Sequence, residues 1–228
     1  MIKFGGQMNG KIITYGDQQN QGYLSLPKSK QGPGLIILQE WWGLVGHIKL
    51  VADRYAENGF VVLAPDLYNG EQATEPNEAQ KLMMELKIDE AGDNIESAVK
   101  YLRNLENLSI DKVGCIGFCM GGGLSLYMAT TGSIDAAIPY YGVLVNVKPD
   151  WSKVNCPILG HYAEHDSATE ALPEIKKEIE KYRNDSKFYI YQNTEHAFFN
   201  DERKEIYNKN AAEKSFNRSV EFLNESFK

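Results

Sequence analysis

The feature that most constrains the fold of this chain is a regular alternation of short apolar runs with amphipathic stretches. The apolar runs are bounded by Gly and Pro, and most are continuous, which is typical of strands buried on both faces of a parallel sheet. About eight strands are predicted, at residues 11–15, 21–26, 35–38, 60–64, 112–116, 136–140, 158–161 and 187–191. This order of elements indicates an α/β fold.

Helical periodicity separates several of these runs. Apolar residues recur at spacings of three and four around Ile48, Ile95 and Phe216, which places them on one face of a helix. The 228 residues contain no repeat or low-complexity segment, and a chain of this length can bury the core of one domain. The sequence therefore predicts a single domain over residues 1–228, with about eight mostly parallel strands and helices on both faces of the sheet.

Composition argues against several classes of function. The formal net charge of −7 and the scattered lysines disfavour a nucleic-acid partner. The N-terminus lacks the apolar core of a signal peptide, and no apolar run reaches the ~20 residues that a membrane helix needs. We therefore expect a cytoplasmic protein with no membrane partner, and a monomer, since no interface motif is evident.

The cysteines and histidines show no metal-ligand pattern. Cys115, Cys119 and Cys156 form no CxxC pair, so reduced thiols are expected. The one plausible ligand spacing, His161 with His165, spans a predicted strand end and turn. We expect neither a metal nor another cofactor.

One cysteine, Cys119, lies in the sequence GFCMG at residues 117–121, which has the spacing of a nucleophile elbow. A predicted strand precedes it and a predicted helix, 124–129, follows it, as the motif requires. Gly117 and Gly121 are expected to relieve crowding around a strained nucleophile. The alternative is a glycine-rich turn with an incidental buried cysteine.

A nucleophile elbow needs an acid and a histidine, in that order along the chain. Asp166 follows one predicted strand and His196 follows the next, so both are expected at the edge of the sheet where catalytic groups gather. Asp166 could instead cap a turn or a helix, and Glu164 is the reserve candidate for the acid.

The other three histidines are weaker candidates for the base. His161 closes a predicted strand and is expected to be a hydrogen-bonded structural residue. His165 lies in a turn beside Asp166, and His47 is expected near the start of a helix. His196 is therefore the predicted base.

The predicted roles follow the general chemistry of such triads. Cys119 attacks a carbonyl, His196 pairs with the thiolate and later activates water, and Asp166 orients the imidazole. The helix that follows Cys119 directs its positive end at the sulfur and favours the thiolate. The backbone N–H groups of Met120 and Trp41 are the predicted oxyanion donors.

With these residues in place, the sequence resembles the dienelactone hydrolase (carboxymethylenebutenolidase) family of α/β-hydrolases over nearly its whole length. The resembling motifs are QEWWG (39–43), APDLY (64–68), GFCMGG (117–122), YYG (140–142), Asp166 and EHAFFN (195–200). The resemblance implies an α/β-hydrolase fold and a cysteine nucleophile. It also implies that Glu40 hydrogen-bonds the resting thiol and helps to deprotonate it, although a glutamate at a strand end could be a plain surface residue.

The sequence departs from the family at the substrate carboxylate. The resemblance implies two arginines there, but one position is Asn200 and no arginine lies between Arg54 and Arg103. Arg203 could replace the first, although an exposed loop residue is the expected alternative. We therefore predict a fairly apolar or neutral substrate, contacted by Trp42, Tyr68, Tyr141, Phe199 and Asn200.

Two classes of function follow from these residues. The first is a hydrolase that cleaves a small-molecule ester or lactone through a thioester. Esters and lactones are expected rather than amides, because a thiolate is such a good leaving group that its adduct with an amide reverts. Peptidase activity is disfavoured for the same reason. The second is a ligand-binding or thiol-sensing protein on a hydrolase scaffold, in which Cys119 forms a slow adduct or is oxidised.

Overall fold

The computed structural model describes residues 8–106 and 108–228, and in this part of the chain eight strands form one sheet. The strands are β1 (Lys11–Tyr15), β2 (Asn20–Ser25), β3 (Gly34–Leu38), β4 (Val61–Pro65), β5 (Val113–Phe118), β6 (Ala136–Tyr140), β7 (Leu159–His165) and β8 (Lys187–Glu195). Their order across the sheet is β1-β2-β4-β3-β5-β6-β7-β8. The pairs β1–β2 and β2–β4 are antiparallel and the others are parallel, so the predicted mostly parallel α/β fold is confirmed.

Seven α-helices connect or follow these strands within the described residues. They are α1 (Gly46–Glu57), α2 (Pro76–Glu85), α3 (Ile88–Arg103), α4 (Met120–Met128), α5 (Ser167–Glu170), α6 (Leu172–Glu180) and α7 (Lys209–Ser226). No helix in this part of the chain is both long and apolar enough to cross a bilayer.

Helices cover both faces of the sheet. Apolar side chains of α1 and α7, such as Val51 and Phe216, pack on one face, and those of α3, α4 and α6 pack on the other. Strand β3 shows the alternation directly, because Leu35 faces α1 and α7 whereas Ile36 faces α3 and α4. Both side chains are fully buried, which explains why this strand is apolar throughout.

The structure corrects the ends of several predicted elements. The pairing of β7 with β8 continues to His165 opposite Glu195, past an irregularity after Ala163. Beyond Tyr191 the side chains of β8 are largely polar and exposed, so the apolar pattern stops while backbone pairing goes on. Helix α4 begins at Met120 and not at 124, because packing overrides the low helix propensity of three successive glycines. The single-domain assignment over 1–228 stays a prediction, and residues 1–7 and 107 lie outside the described part.

Candidate active site

The elbow cysteine sits between β5 and α4 in a strained backbone conformation. Cys119 has φ 55° and ψ −115°, which costs a non-glycine residue on the order of 1–3 kcal/mol. Its amide donates to the carbonyl of Tyr140 at 3.0 Å, and its carbonyl accepts from the amide of Val143 at 3.1 Å. The cysteine is therefore held in this conformation by the end of β6 and the loop that follows it.

Glycines make the tight turn possible, as the sequence predicts. A Cβ at Gly117 would lie 1.8 Å from the carbonyl oxygen of Gly121, and a Cβ at Gly123 would lie 1.9 Å from the carbonyl oxygen of Val143. Both approaches are to backbone atoms that cannot move aside. Any larger residue at these positions would push α4 away from the sheet.

Two of the predicted catalytic residues meet at the carboxyl ends of β7 and β8. The Nδ1 atom of His196 lies 2.8 Å from Oδ2 of Asp166. The other carboxylate oxygen of Asp166 accepts from the amide of Ala168 at 3.0 Å and caps α5. Asp166 is thus both a helix cap and the partner of the histidine, so the two interpretations of this residue are compatible.

Hydrogen bonding makes His196 strongly basic. Burial of the imidazole lowers its pKa, but hydrogen bonds to Asp166 and to the sulfur of Cys119 outweigh this effect and raise the pKa to about 10. With Nδ1 on Asp166, the Nε2 side of the ring is left for Cys119. The imidazole is therefore positively charged at neutral pH, which suits an ion pair with a thiolate.

This raised pKa predicts how stability depends on pH. The folded-state pKa, about 10, is above the ordinary value of 6.5, so the contribution is complete below pH 6.5 and is lost as pH rises to about 10. His196→Gln should therefore destabilise the protein more at about pH 6 than at about pH 10, measured by urea unfolding. The control is His165→Gln, an exposed histidine. Equal destabilisation by His196→Gln at both pH values would contradict the prediction.

Glu40 lies beside the cysteine, just after β3, and is almost completely buried. Its Oε2 atom accepts a hydrogen bond from Nδ2 of Asn200 at 2.8 Å, and its Oε1 atom accepts a long one, 3.5 Å, from the hydroxyl of Tyr141. The hypothesis that Glu40 is a plain surface residue is wrong. The hydrogen bonds of this carboxylate run to these two side chains and not to the thiol.

Two backbone amides fit the predicted oxyanion hole. Met120 is the first residue of α4, so its N–H has no partner within the helix. Within residues 8–106 and 108–228, neither this amide nor that of Trp41 donates to a protein acceptor. Both are therefore available to a developing negative charge.

A cavity of about 380 Å³ opens onto these residues. Its lining joins polar catalytic candidates to apolar walls and comprises Glu40, Trp41, Trp42, Met83, Cys119, Val143, Val145, His165, Asp166, Ser167, His196, Ala197 and Arg203. The rings of Trp41 and Trp42 pack edge to face with their centroids 5.2 Å apart. Among the predicted substrate contacts, Trp42 lies on this wall.

The structure places the other four predicted substrate contacts behind the cavity wall. Phe199 is fully buried in the core between the sheet, α1 and α7. Tyr68 donates to the sulfur of Met120 at 3.2 Å, and Tyr141 is buried against the ring of His196. Asn200 is buried against Glu40. Aromatic composition alone could not separate core from wall.

Two of the other three histidines, His161 and His47, have structural partners. His161 is fully buried, with Nε2 3.0 Å from the hydroxyl of Ser219 and Nδ1 2.9 Å from that of Tyr191, as predicted. His47 is the second residue of α1 and pairs with Asp201. Glu164, the reserve acid, accepts from the amide of Asn193 at 2.7 Å, so it holds the end of β8.

Five wall residues were not predicted. Ser167 and Ala197 directly follow Asp166 and His196, and Val143 and Val145 follow β6, so their positions after strand ends could have identified them. Met83 comes from α2, and nothing in the sequence pattern places it at the cavity. Among the described residues, no group of three or more His, Cys, Asp or Glu is placed to hold a metal ion.

Comparison with known proteins agrees with the fold and the motifs. The model of the dienelactone hydrolase family matches residues 21–227. Protein usf of Aquifex pyrophilus is 36% identical over 215 residues, covering 90% of this chain and 93% of the relative. The carboxymethylenebutenolidase of Pseudomonas putida is 26% identical over 141 residues, or 58% of this chain and 59% of that enzyme.

A solved structure shows the same fold. The dienelactone hydrolase-like promiscuous phosphotriesterase from metagenomic libraries superposes with a TM-score of 0.81 and 21% identity, covering 96% of this chain and 99% of that one. Because the family model spans nearly all of the chain, and the sheet order and elbow agree with it, the chain belongs to the dienelactone hydrolase family of α/β-hydrolases.

Proposed function

We propose that this protein hydrolyses a carboxylic ester or lactone through a Cys119–His196–Asp166 triad and a thioester intermediate. The observation that carries the proposal is the 2.8 Å bond from His196 Nδ1 to Asp166, beside a cysteine in a strained elbow. A structural cysteine would not need this strained conformation or a histidine–aspartate pair at its side.

In the first half of the reaction, the thiolate of Cys119 attacks the carbonyl carbon and a C–S bond forms. The negative charge passes to the carbonyl oxygen, where the amides of Met120 and Trp41 stabilise it. Collapse of this adduct breaks the C–O bond, and the imidazolium of His196 gives its proton to the departing oxygen. A thioester on Cys119 and an alcohol or enol remain.

In the second half, water hydrolyses the thioester. His196, now neutral, takes a proton from water while the oxygen attacks the thioester carbon. The thiolate leaves and the carboxylic acid is released. Asp166 keeps the ring in the required tautomer in both halves. When the sulfur is protonated at rest, Glu40, which lines the cavity with Cys119, takes up the thiol proton before the attack and returns it to the thiolate after the acid is released.

The leaving group restricts the substrate class. A thiolate is an excellent leaving group, so the first adduct goes forward only when the other leaving group is comparably good. Enol esters and lactones meet this condition, and amides do not. The apolar walls from Trp41, Trp42, Met83, Val143 and Val145 favour a substrate with apolar flanks.

A matched pair of esters tests this substrate class. Arg203 is the one Lys or Arg among the described residues that line the cavity, and its Nε atom donates to Glu205 at 3.2 Å. Because no pair of arginines faces a substrate carboxylate there, p-nitrophenyl acetate should give a kcat/KM about tenfold higher than mono-p-nitrophenyl succinate. A lactone panel with dienelactone extends the comparison.

The opposite preference would contradict the neutral-substrate proposal. If the succinate ester were the better substrate, Arg203→Gln would decide whether this side chain binds the carboxylate. Absence of turnover on every ester and lactone, with one equivalent of label trapped on Cys119, would contradict the hydrolase itself and leave the thiol-sensing alternative.

A further inference from the structure

We propose that Asn200 and Asp201 form a positioning relay that ties the Glu40 carboxylate to helix α1. The inference rests on the proposed function, because it concerns a group beside the predicted nucleophile. Asn200 and Asp201 are consecutive, follow β8 and carry no predicted role in bond making. Asn200 contacts the buried carboxylate of Glu40, and Asp201 contacts two buried side chains of α1, so together they connect the cavity to that helix.

The first half of the relay is the amide of Asn200. Nδ2 donates to Oε2 of Glu40 at 2.8 Å, while Oδ1 accepts from the amide of Glu202 at 3.1 Å. Since the oxygen end already has a donor, the NH2 end must face Glu40. The backbone amide of Asn200 also donates to the carbonyl of Ala197, at 2.9 Å, so the side chain has little freedom to turn.

The second half is the carboxylate of Asp201. Oδ1 lies 3.1 Å from Nδ1 of His47, and Oδ2 lies 2.5 Å from a terminal nitrogen of Arg54. Both partners belong to α1 and are buried. Burial raises the pKa of Asp201, but the hydrogen bond from His47 and the charge of Arg54 outweigh it, so the pKa is lowered overall. The ionised carboxylate therefore anchors the 200–201 segment on α1.

The relay gives Glu40 a fixed position without a counter-charge. Its hydrogen-bond donors are a neutral amide and a neutral hydroxyl, and no Lys or Arg in the described residues forms an ion pair with it. An arginine in place of Asn200 would neutralise the carboxylate in a charge-assisted pair. With Asn200 there instead, Glu40 lines the cavity with Cys119 and has no bound cation that would compete for its carboxylate with the thiol proton.

The test compares Asn200→Ala and Asn200→Asp with Asn217→Ala and Asn217→Asp, the same changes on an exposed face of α7. The readouts are kcat and KM for p-nitrophenyl acetate, the melting temperature, and the pH profile of Cys119 alkylation by iodoacetamide. Apart from the new carboxyl group of Asn200→Asp, the ionisable groups that touch Glu40 or line the cavity with it stay the same in all variants and are Cys119, Tyr141, His165, Asp166, His196 and Arg203. A shift in the profile of Asn200→Ala therefore reports on Glu40, and a shift in that of Asn200→Asp reports on the pair of carboxyl groups.

Asn200→Ala should lower kcat about 10- to 100-fold with little change in KM, because Glu40 is no longer held in place. Asn200→Asp places two carboxyl groups at one site, where they share a proton. A carboxyl group that keeps its proton cannot accept the proton of the thiol, so the alkylation profile of Cys119 should move to higher pH by about one unit. Both Asn217 variants should match the wild type. Asp201→Asn should lower kcat in the same direction as Asn200→Ala.

An Asn200→Ala protein that is folded and keeps the wild-type kcat and alkylation profile would overturn the relay. A fall in melting temperature with unchanged kcat and profile would also overturn it, since that result describes a structural residue. Alkylation of Cys119 does not require turnover of a substrate, so it tests the relay independently of the proposed function. If the profile shifts as expected but wild type hydrolyses no ester or lactone, the relay stands and the proposed function fails.

Discussion

Cys119→Ala should lower kcat for p-nitrophenyl acetate by about ten-thousand-fold or more, because the nucleophile of a triad cannot be replaced by its partners. The variant should fold, since the lost sulfur is small and the backbone bonds of the elbow do not involve it. Mass spectrometry of wild type with a slow ester should show one acyl group on the protein, and hydroxylamine should remove it as expected for a thioester. The variant should show none.

A second buried thiol, Cys156, provides the matched control for the Cys119 substitution. Cys156 is buried, and burial raises its pKa to about 12 despite the charge of Arg183. Cys156→Ala should therefore keep the wild-type kcat and the same acyl adduct. Iodoacetamide should label wild type once, at Cys119. Full turnover by Cys119→Ala, or an acyl group on another residue, would exclude the proposed nucleophile.

Asp166→Asn should lower kcat about ten-thousand-fold while leaving the fold intact. Asn caps helices as well as Asp does, so the bond to the amide of Ala168 and helix α5 should remain. The amide cannot stabilise the imidazolium of His196, and it favours the wrong tautomer. The measurement is kcat together with the melting temperature.

Asp166→Ala separates the two roles of this side chain. It removes the cap as well as the charge, so it should lower the free energy of unfolding by about 1 kcal/mol more than Asp166→Asn. Its kcat should be no higher than that of Asp166→Asn. Activity retained in Asp166→Asn but lost in Asp166→Ala would mean that the residue serves only as a cap.

Much of the fold could be predicted because local patterns and burial agree in the middle of the sheet. The predicted 11–15 and 136–140 strands have the observed bounds, and β3 differs by one residue. The predictions are less accurate at β7 and β8, where a register irregularity and polar side chains hide pairing that only the backbone maintains. An apolar pattern reports burial and not hydrogen bonding, so it ends where burial ends.

The candidate site divides in the same way. Local sequence is enough to predict the elbow at Cys119 and the order of Asp166 and His196 after their strands, because a parallel sheet brings strand ends to one edge. The packing of distant elements, in contrast, places Phe199 in the core, Asn200 against Glu40, and Asp201 against His47 and Arg54. The Asn200 and Asp201 contacts join residues more than 140 positions apart. No local period encodes such contacts, because they depend on how the loop after β8 packs against α1 and the end of β3.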